Sequence, residues 1–216
     1  MVSRRGFVVV LQAVTLIHGG LARAQQVSGS SSSKAKQKTE QHLKASAPAA
    51  AQNDQGLYRN SDFGFSYHVR YGWVDRTREM QQDQTDPSRS RLLLAVFERP
   101  PGVMGETVNS AVIITVESAA SYPGLKTAAD YMGPLTELTT GKGFKVTEEP
   151  YDVSGGAQKL VRADFAKDLG RLIMYQSSIA MLHKGWVVLF TFIGGSQDEI
   201  EELVEKLVFP AAAKPR

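Results

Sequence analysis

The 216-residue chain contains no cysteine, and this absence excludes several kinds of chemistry at once. Disulfide bonds, thiol nucleophiles, iron–sulfur clusters and thiolate zinc sites all need that residue. No apolar run reaches the roughly 18 residues that a transmembrane helix requires, so we expect no membrane span. The nine prolines and nineteen glycines are too few for a low-complexity chain. What remains is the composition of one ordinary globular domain.

The first 24 residues have the three parts of a secretory signal peptide. Arg4 and Arg5 supply the positive charge, an apolar stretch follows over residues 7–17, and Ala22-Arg23-Ala24 has the small-x-small pattern of a cleavage site. We therefore predict a periplasmic or secreted protein that is cleaved near Ala24. The arginine pair also resembles the twin-arginine export signal, so the sequence leaves both export routes open.

Residues 25–56 have the composition of a disordered tether. They contain no aromatic residue and offer only Val27 and Leu43 as larger aliphatic side chains. Their lysines either make a weak contact with an anionic surface or simply keep the segment solvated. Removing the three signal arginines lowers the basic residues from 25 to 22, against 22 acidic ones. A balanced mature chain gives no reason to expect a nucleic-acid partner.

The folded part, residues 57–209, begins with a concentration of aromatic residues. Period-2 alternation over residues 65–70 predicts a half-buried strand in this region. Packing of the aromatic rings in the core is the first interpretation. The alternative is a platform for a small apolar or aromatic ligand, formed by Tyr58, Tyr67 and Trp73.

Three later segments are apolar at nearly every position and predict strands covered on both faces: residues 92–97, 111–116 and 186–193. Polar residues dilute the segments 161–165 and 171–181, which we place toward the margin of the sheet. The turn 183–185 predicts a hairpin between two of these strands.

Two helices are predicted in the folded part. One covers residues 127–140 and should be kinked or split at Pro134, because proline lacks a backbone donor. The other follows Ser196, which with Glu199 forms a capping-box pattern. The order of elements predicts an α+β fold with a central, largely antiparallel sheet covered by helices on both faces, an α/β/α sandwich.

Both ends of the folded part resemble PsbP-like domains. At the start, the resemblance is carried by Tyr58-Arg59-Asn60, Phe63-Gly64-Phe65-Ser66-Tyr67 and Tyr71-Gly72-Trp73. At the end it is carried by a Lys-Gly-Trp hairpin at residues 184–186 and a capped helix that leads to Leu207-Val208-Phe209. It covers residues 57–209 and leaves 210–216 as a C-terminal tail.

The PsbP-like pattern favours a proline where this chain has Arg70. The family includes extrinsic photosystem subunits, a Ran-binding relative and exported bacterial proteins of unknown role. The resemblance therefore implies an α/β/α binding or adaptor fold rather than an enzyme. No functional residue carries over, because the matching positions are packing positions.

Residues that could carry chemistry are few. His68 and His183 are the only histidines of the folded part, and neither lies in a ligand-spaced motif, so we expect no metal and no cofactor. Glu148, Glu149 and Asp152 surround Pro150 and are typical of a solvated turn, although paired carboxylates can also act as acid and base.

Three functions remain open from the sequence. The first is an exported, non-enzymatic binding or adaptor domain that engages a protein partner through its loops or a sheet edge. The second is a carrier of a small apolar or aromatic ligand bound at Tyr58, Tyr67 and Trp73. The third is a hydrolase that uses Glu148, Glu149 or His183.

Overall fold

The computed structural model describes residues 56–84, 86–100, 102–103 and 105–210. The strands are β1 Leu57–Asn60, β2 Phe65–His68, β3 Val74–Asp75, β4 Ser90–Phe97, β5 Ala111–Ser118, β6 Lys145–Gly155, β7 Gln158–Asp168, β8 Ile173–His183, β9 Trp186–Gly194 and β10 Leu207–Val208. The helices are α1 Thr77–Gln82, α2 Ala128–Thr140 and α3 Gln197–Val204, with a short 3₁₀ turn at Ala119–Ser121. The predicted signal peptide, the tether up to residue 55 and the tail from residue 211 lie outside the described residues.

The strands form two antiparallel sheets. The large sheet has the order β3-β4-β5-β9-β8-β7-β6, and the small sheet has the order β1-β2-β10. Strands β5 and β9, which are apolar on both faces, lie at the centre of the large sheet, as predicted. Strands β7 and β8 lie toward the β6 edge, also as predicted. Every strand pair in the described residues is antiparallel.

The large sheet has a hydrophobic cluster on each face, because side chains alternate along its central strands. Helix α2 packs on the first face, where Tyr131, Met132 and Leu135 are buried. The second face is covered by the small sheet together with helix α3, through buried residues such as Tyr67 and Leu203. We call these the α2 face and the α3 face.

The α+β class and the antiparallel sheet are therefore confirmed, but the second layer differs from the predicted sandwich. On the α3 face, the aromatic hairpin β1-β2 and strand β10 share the covering role with helix α3. The sequence pattern missed this because a short strand of two residues, such as β10, leaves almost no periodic signal.

Local chemistry explains most of the element boundaries. Thr127 caps α2 by accepting from the Asp130 amide, and Ser196 caps α3 by accepting from the Glu199 amide. Helix α2 continues through Pro134 as one element, so the helix is not split there. The β8–β9 hairpin turns at Lys184, which adopts the left-handed region with a φ of 48°, followed by Gly185 at 80°.

The prediction of a solvated turn around Pro150 is wrong. Residues 145–155 form the edge strand β6, with two register shifts against β7 on either side of Glu148. Proline is tolerated there because an edge strand needs no donor on its open side. Its bulges and charged side chains also oppose pairing with another strand.

Candidate functional site

A groove of about 370 Å³ lies between helix α3 and the α3 face of strands β6 to β8. Its volume is in the range that holds a small ligand or a single side chain of a partner. Polar and charged side chains from both walls dominate the lining: Thr147, Glu148, Tyr151, Arg162, Asp164, Phe165, Tyr175, Gln176, Gln197, Asp198, Ile200 and Glu201. We call this surface the α3 groove.

Arg162 of strand β7 forms the floor of the α3 groove. Its side chain is only 9% exposed, although strand periodicity alone would place it on a polar surface. The Nε atom donates to Asp164 Oδ1 at 2.9 Å, and Nη1 donates to Glu201 Oε2 at 2.9 Å. Nη2 donates to the second oxygen of Glu201. The guanidinium thus joins strand β7 to helix α3 by a bidentate pair, which fixes the orientation of both carboxylates.

Tyr151 of strand β6 forms the outer wall of the groove. Its hydroxyl donates to Asp164 Oδ2 at 3.2 Å, and its ring centroid lies 6.0 Å from the Arg162 guanidinium carbon. Partial burial, followed by the charge of Asp164, raises the pKa of Tyr151 to about 12. The phenol therefore remains protonated near neutral pH and acts as a fixed donor.

The charges of the groove do not cancel. Four carboxylates line it, from Glu148, Asp164, Asp198 and Glu201, against the single guanidinium of Arg162, which gives a formal charge of −3. The hydrogen bonds from Arg162 hold the pKa of Glu201 below its usual range, so this carboxylate stays ionised. Glu148 and Asp198 are exposed at the rim and form no ion pair among the described residues. The groove therefore favours a cationic ligand.

Helix α3 is held in place at its start by Glu199. One carboxylate oxygen accepts from the Gly195 amide at 2.8 Å, and the other accepts from the Ser110 hydroxyl at 2.6 Å. Ile200 then packs into the core of the α3 face. Glu201 follows Ile200 about 100° farther around the helix axis, at the edge of the packed side, where its carboxylate reaches Arg162 of strand β7.

The three residues of the predicted ligand platform lie elsewhere. Tyr58 and Tyr67 are 4% and 1% exposed and belong to the core of the α3 face, and Trp73 is half-buried against it. Tyr58 also lines a second groove, of about 730 Å³, with residues of β3, α1 and β4. Tyr67 and Trp73 are not part of that lining.

The candidate hydrolase residues are not brought together. Glu148 pairs across the sheet with Asp164, which pairs with Ser177 of β8, whereas His183 lies six residues farther along β8. At about 3.3 Å per residue, this separation is about 20 Å. Glu149 is exposed beside Glu148 and does not line the groove. His183, at the end of β8, instead lies near Phe63, with 6.2 Å between the ring centroids.

Sequence reasoning missed the principal residues of the groove. Arg162 and Asp164 are the polar residues of a segment that the sequence places toward the margin of the sheet, and Tyr151 follows Pro150 in the predicted turn. One signal could have found them. Two charged residues at positions i and i+2 of a strand lie on the same face, and an amphipathic helix that carries Glu201 packs its apolar side on a face of the sheet, so that these charges can meet.

The described residues contain neither a metal-binding cluster nor a membrane-spanning helix. No three residues of the His, Cys, Asp and Glu types are grouped so that they could hold a metal ion there. No helix in the same part of the chain is long and apolar enough to cross a membrane.

Comparison with known proteins gives similarities of fold at low sequence identity. No protein-family model matches the chain, and no curated protein matches it. Cyanobacterial PsbP (CyanoP) from Synechocystis shares 12% identity over 76% of this chain and 100% of its own, with a TM-score of 0.47. The Ran-binding protein Mog1p of Saccharomyces cerevisiae shares 11% identity over 72% of this chain and 95% of its own, with a TM-score of 0.42.

A third similar structure is LpqN of Mycobacterium tuberculosis, described as involved in cell envelope biogenesis. It shares 11% identity over 74% of this chain and 88% of its own, with a TM-score of 0.37. The structures found thus include PsbP, the family that the motifs at residues 58–73 resemble. Each similarity concerns the fold alone.

Proposed function

We propose that the mature chain is an exported, non-enzymatic binding or adaptor domain that engages a basic segment of a protein partner in the α3 groove. The observation that carries this proposal is the buried Arg162, which fixes Asp164 and Glu201 in a groove of formal charge −3. Fixed carboxylates in a partly desolvated groove attract lysine or arginine side chains more strongly than the same charges spread over an open surface.

The protonation states of the groove support binding over catalysis. General acid and base catalysis needs groups whose pKa lies near the working pH. Here Tyr151 has a pKa raised to about 12, and Glu201 has a pKa held below its usual range by Arg162. Neither side chain exchanges a proton near neutral pH. The groove offers fixed charges and an aromatic wall, which are features of a recognition surface.

The irregular shape of edge strand β6 favours the groove, rather than an open sheet edge, as the surface that binds a partner. Strand addition requires a regular edge with free backbone groups. Pro150 and the two register shifts interrupt β6, and charged side chains flank them. At the opposite edge, helix α1 covers β4, because Arg76 N donates to Ala95 O and Ala95 N donates to the Thr77 hydroxyl. Both edges of the large sheet therefore resist a new strand.

Peptide binding tests the proposal directly. The probe is a flexible fluorescein-labelled peptide that contains several lysines. The control is the same peptide with glutamine at each lysine position. We expect the mature protein to raise the anisotropy of the lysine peptide only, with affinity falling as salt rises from about 0.05 M to about 0.3 M. Absence of binding by the lysine peptide at low salt would overturn the proposal.

Matched variants locate the binding. Glu148→Gln combined with Asp198→Asn removes two rim charges, whereas Glu149→Gln combined with Glu205→Gln removes two exposed charges outside the groove, one from the same strand and one from the residue that directly follows helix α3. We expect the groove pair to weaken lysine-peptide binding about fivefold or more and the control pair less than about twofold. Equal losses would show that binding follows net charge and has no defined site.

The absence of cysteine allows a test with the natural partner. Thr147→Cys and Thr140→Cys each give one thiol for a photo-cross-linker, the first in the groove and the second on the exposed end of α2. We expect a cross-linked protein of the exported fraction with the first variant only, and its loss in the presence of the lysine peptide. A product that forms equally with both variants would argue against a partner in the groove.

The carrier function stays a second proposal, supported by the position of Tyr58 in the groove of about 730 Å³ beside Leu93 and Leu94. We expect 8-anilinonaphthalene-1-sulfonate to fluoresce in the presence of the mature protein and the signal to fall in Leu93→Gln. The buried Tyr67 is left unchanged in this test, because its removal would disturb the core. An identical signal from both proteins would count against the carrier.

A further inference from the structure

A buried carboxyl group lies beneath helix α2, on the face opposite the α3 groove. Glu117, near the end of β5, is 1% exposed, and its neighbours in register are Ser90 on β4 and Val187 on β9. Two tyrosines cover it. Tyr122 follows the 3₁₀ turn and is 8% exposed, and Tyr131 lies in the first half of α2 and is 0% exposed.

The two tyrosines connect Glu117 to the helix. The Tyr122 hydroxyl donates to Glu117 Oε2. The rings of Tyr122 and Tyr131 meet edge to face, with centroids 5.3 Å apart and an interplanar angle of 85°. The strand, the segment before α2 and the first turns of α2 are therefore joined around one carboxyl group.

No cation among the described residues pairs with this carboxyl group, since Glu117 is in no ion pair there with a lysine, arginine or histidine. The titratable groups that face it are the hydroxyls of Tyr122 and Tyr131, while β4 and β9 present Ser90 and Val187. Arg91, next to Ser90, lies over the Trp186 ring, packed with the other cluster.

Burial sets the protonation state of Glu117. Removal from water disfavours the carboxylate and raises its pKa to about 7, although the hydrogen bonds from Tyr122 and Tyr131 act in the opposite direction. Burial also raises the pKa of both tyrosines, so they remain neutral donors. Around neutral pH, the carboxyl group therefore changes charge while the tyrosines do not.

We propose that protonated Glu117 fastens helix α2 to the sheet, and that its ionisation loosens the helix as pH rises through neutrality. An ionised carboxylate without a cation is costly in a buried site but not in water. Local opening of the segment 119–140 lets the charge reach water, so ionisation favours the open form. Helix α2 is thereby a pH-sensitive cover of its face of the sheet.

The sign and size of the effect follow from linkage. In the open form Glu117 has its ordinary pKa of 4.5, and in the closed form its pKa is about 7. Below about pH 4.5 it is protonated in both forms, so pH has no effect. Between the two values only the open form is ionised, and opening becomes more favourable. From about pH 5.5 to about pH 8 the opening constant should rise roughly 25-fold and then level off.

Hydrogen exchange measures this opening on the full chain. Protection factors, corrected for the intrinsic pH dependence of exchange, are compared between peptides from α2 and from α3. We expect protection in α2 to fall roughly 25-fold between about pH 5.5 and about pH 8 in the unaltered protein, with α3 unchanged. Parallel behaviour of α2 and α3 would overturn the proposal.

Three variants separate the switch from a merely structural role. Glu117→Gln keeps the shape without the charge, and its α2 protection should not depend on pH, whereas the exposed Glu137→Gln should behave like the unaltered protein. Tyr122→Phe removes a donor to the carboxylate, so the midpoint of the pH profile should move upward. If Glu117→Gln fails to fold, the pH profile of Tyr122→Phe still tests the proposal. An unchanged midpoint in that variant would refute the assignment of the pH dependence to Glu117.

Discussion

Replacement of Arg162 by methionine should destabilise the domain by about 1–4 kcal/mol. Methionine keeps most of the volume of the side chain but none of its hydrogen bonds. Arg162 is 9% exposed, Asp164 is 19% exposed and Glu201 is 55% exposed, so the two carboxylates lose their partner in different surroundings. Glu201 returns to water and costs less than about 1 kcal/mol. Asp164 stays largely desolvated and accounts for the rest, about 1–3 kcal/mol.

A matched control lies on the same helix. Arg70 also pairs with a glutamate of helix α3, Glu202, but the two side chains are 29% and 64% exposed. We therefore expect Arg70→Met to cost less than about 1 kcal/mol. The contrast tests whether burial, rather than the mere presence of an ion pair, gives Arg162 its importance.

Urea unfolding monitored by fluorescence of the two tryptophans, Trp73 and Trp186, measures both variants. The double variant Arg162→Met with Asp164→Asn should recover about half of the stability lost in Arg162→Met, because it no longer contains an unpaired, desolvated carboxylate at position 164. If Arg162→Met costs no more than Arg70→Met, or if Asp164→Asn restores nothing, the account of the groove floor is refuted.

Substitutions at three further positions test the elements that position the groove. Ser196→Ala removes the cap of α3 and should cost about 1 kcal/mol in urea unfolding, whereas Ser196→Asp should not. Leu203→Ala empties a fully buried position beneath the same helix and should cost about 2–5 kcal/mol, and a loss below about 1 kcal/mol would contradict its place in the core. Lys184→Asn should stabilise the β8–β9 hairpin by a few tenths to about 1 kcal/mol in thermal unfolding, because asparagine tolerates the left-handed conformation; a lower melting temperature would contradict the turn assignment.

The fold could be predicted largely from the sequence, because its main elements carry strong local signals. The doubly apolar strands were correctly placed at the centre of the sheet. The apolar spacing over residues 127–140 and the capping pattern at Ser196 located two helices. Strand β6 was missed because Pro150 and its neighbouring glutamates are typical of turns. This segment becomes a strand by pairing with β7 across the short turn between Gly155 and Gln158, and the pattern around Pro150 alone does not show that pairing.

The candidate site could not be predicted for a related reason. Arg162 has the spacing of a solvent-facing strand residue, and its burial depends on a helix that begins 35 residues later at Gln197. Glu117 is similar, since its burial depends on Tyr122 and Tyr131 beyond the end of its strand. When packing against other elements buries a charged residue, the sequence pattern around that residue does not show it.

The small sheet has a consequence for the order in which the protein folds. Its central strand β2 pairs with β1 on one side and with β10, at residues 207–208, on the other. The aromatic hairpin β1-β2 is therefore synthesised first, but the edge of β2 that pairs with β10 remains open until almost the whole described chain has left the ribosome. Closing a loop of this length is slow compared with forming a hairpin. We expect the covering of the α3 face to be completed only after synthesis, so that this face stays accessible to chaperones while the chain is being made.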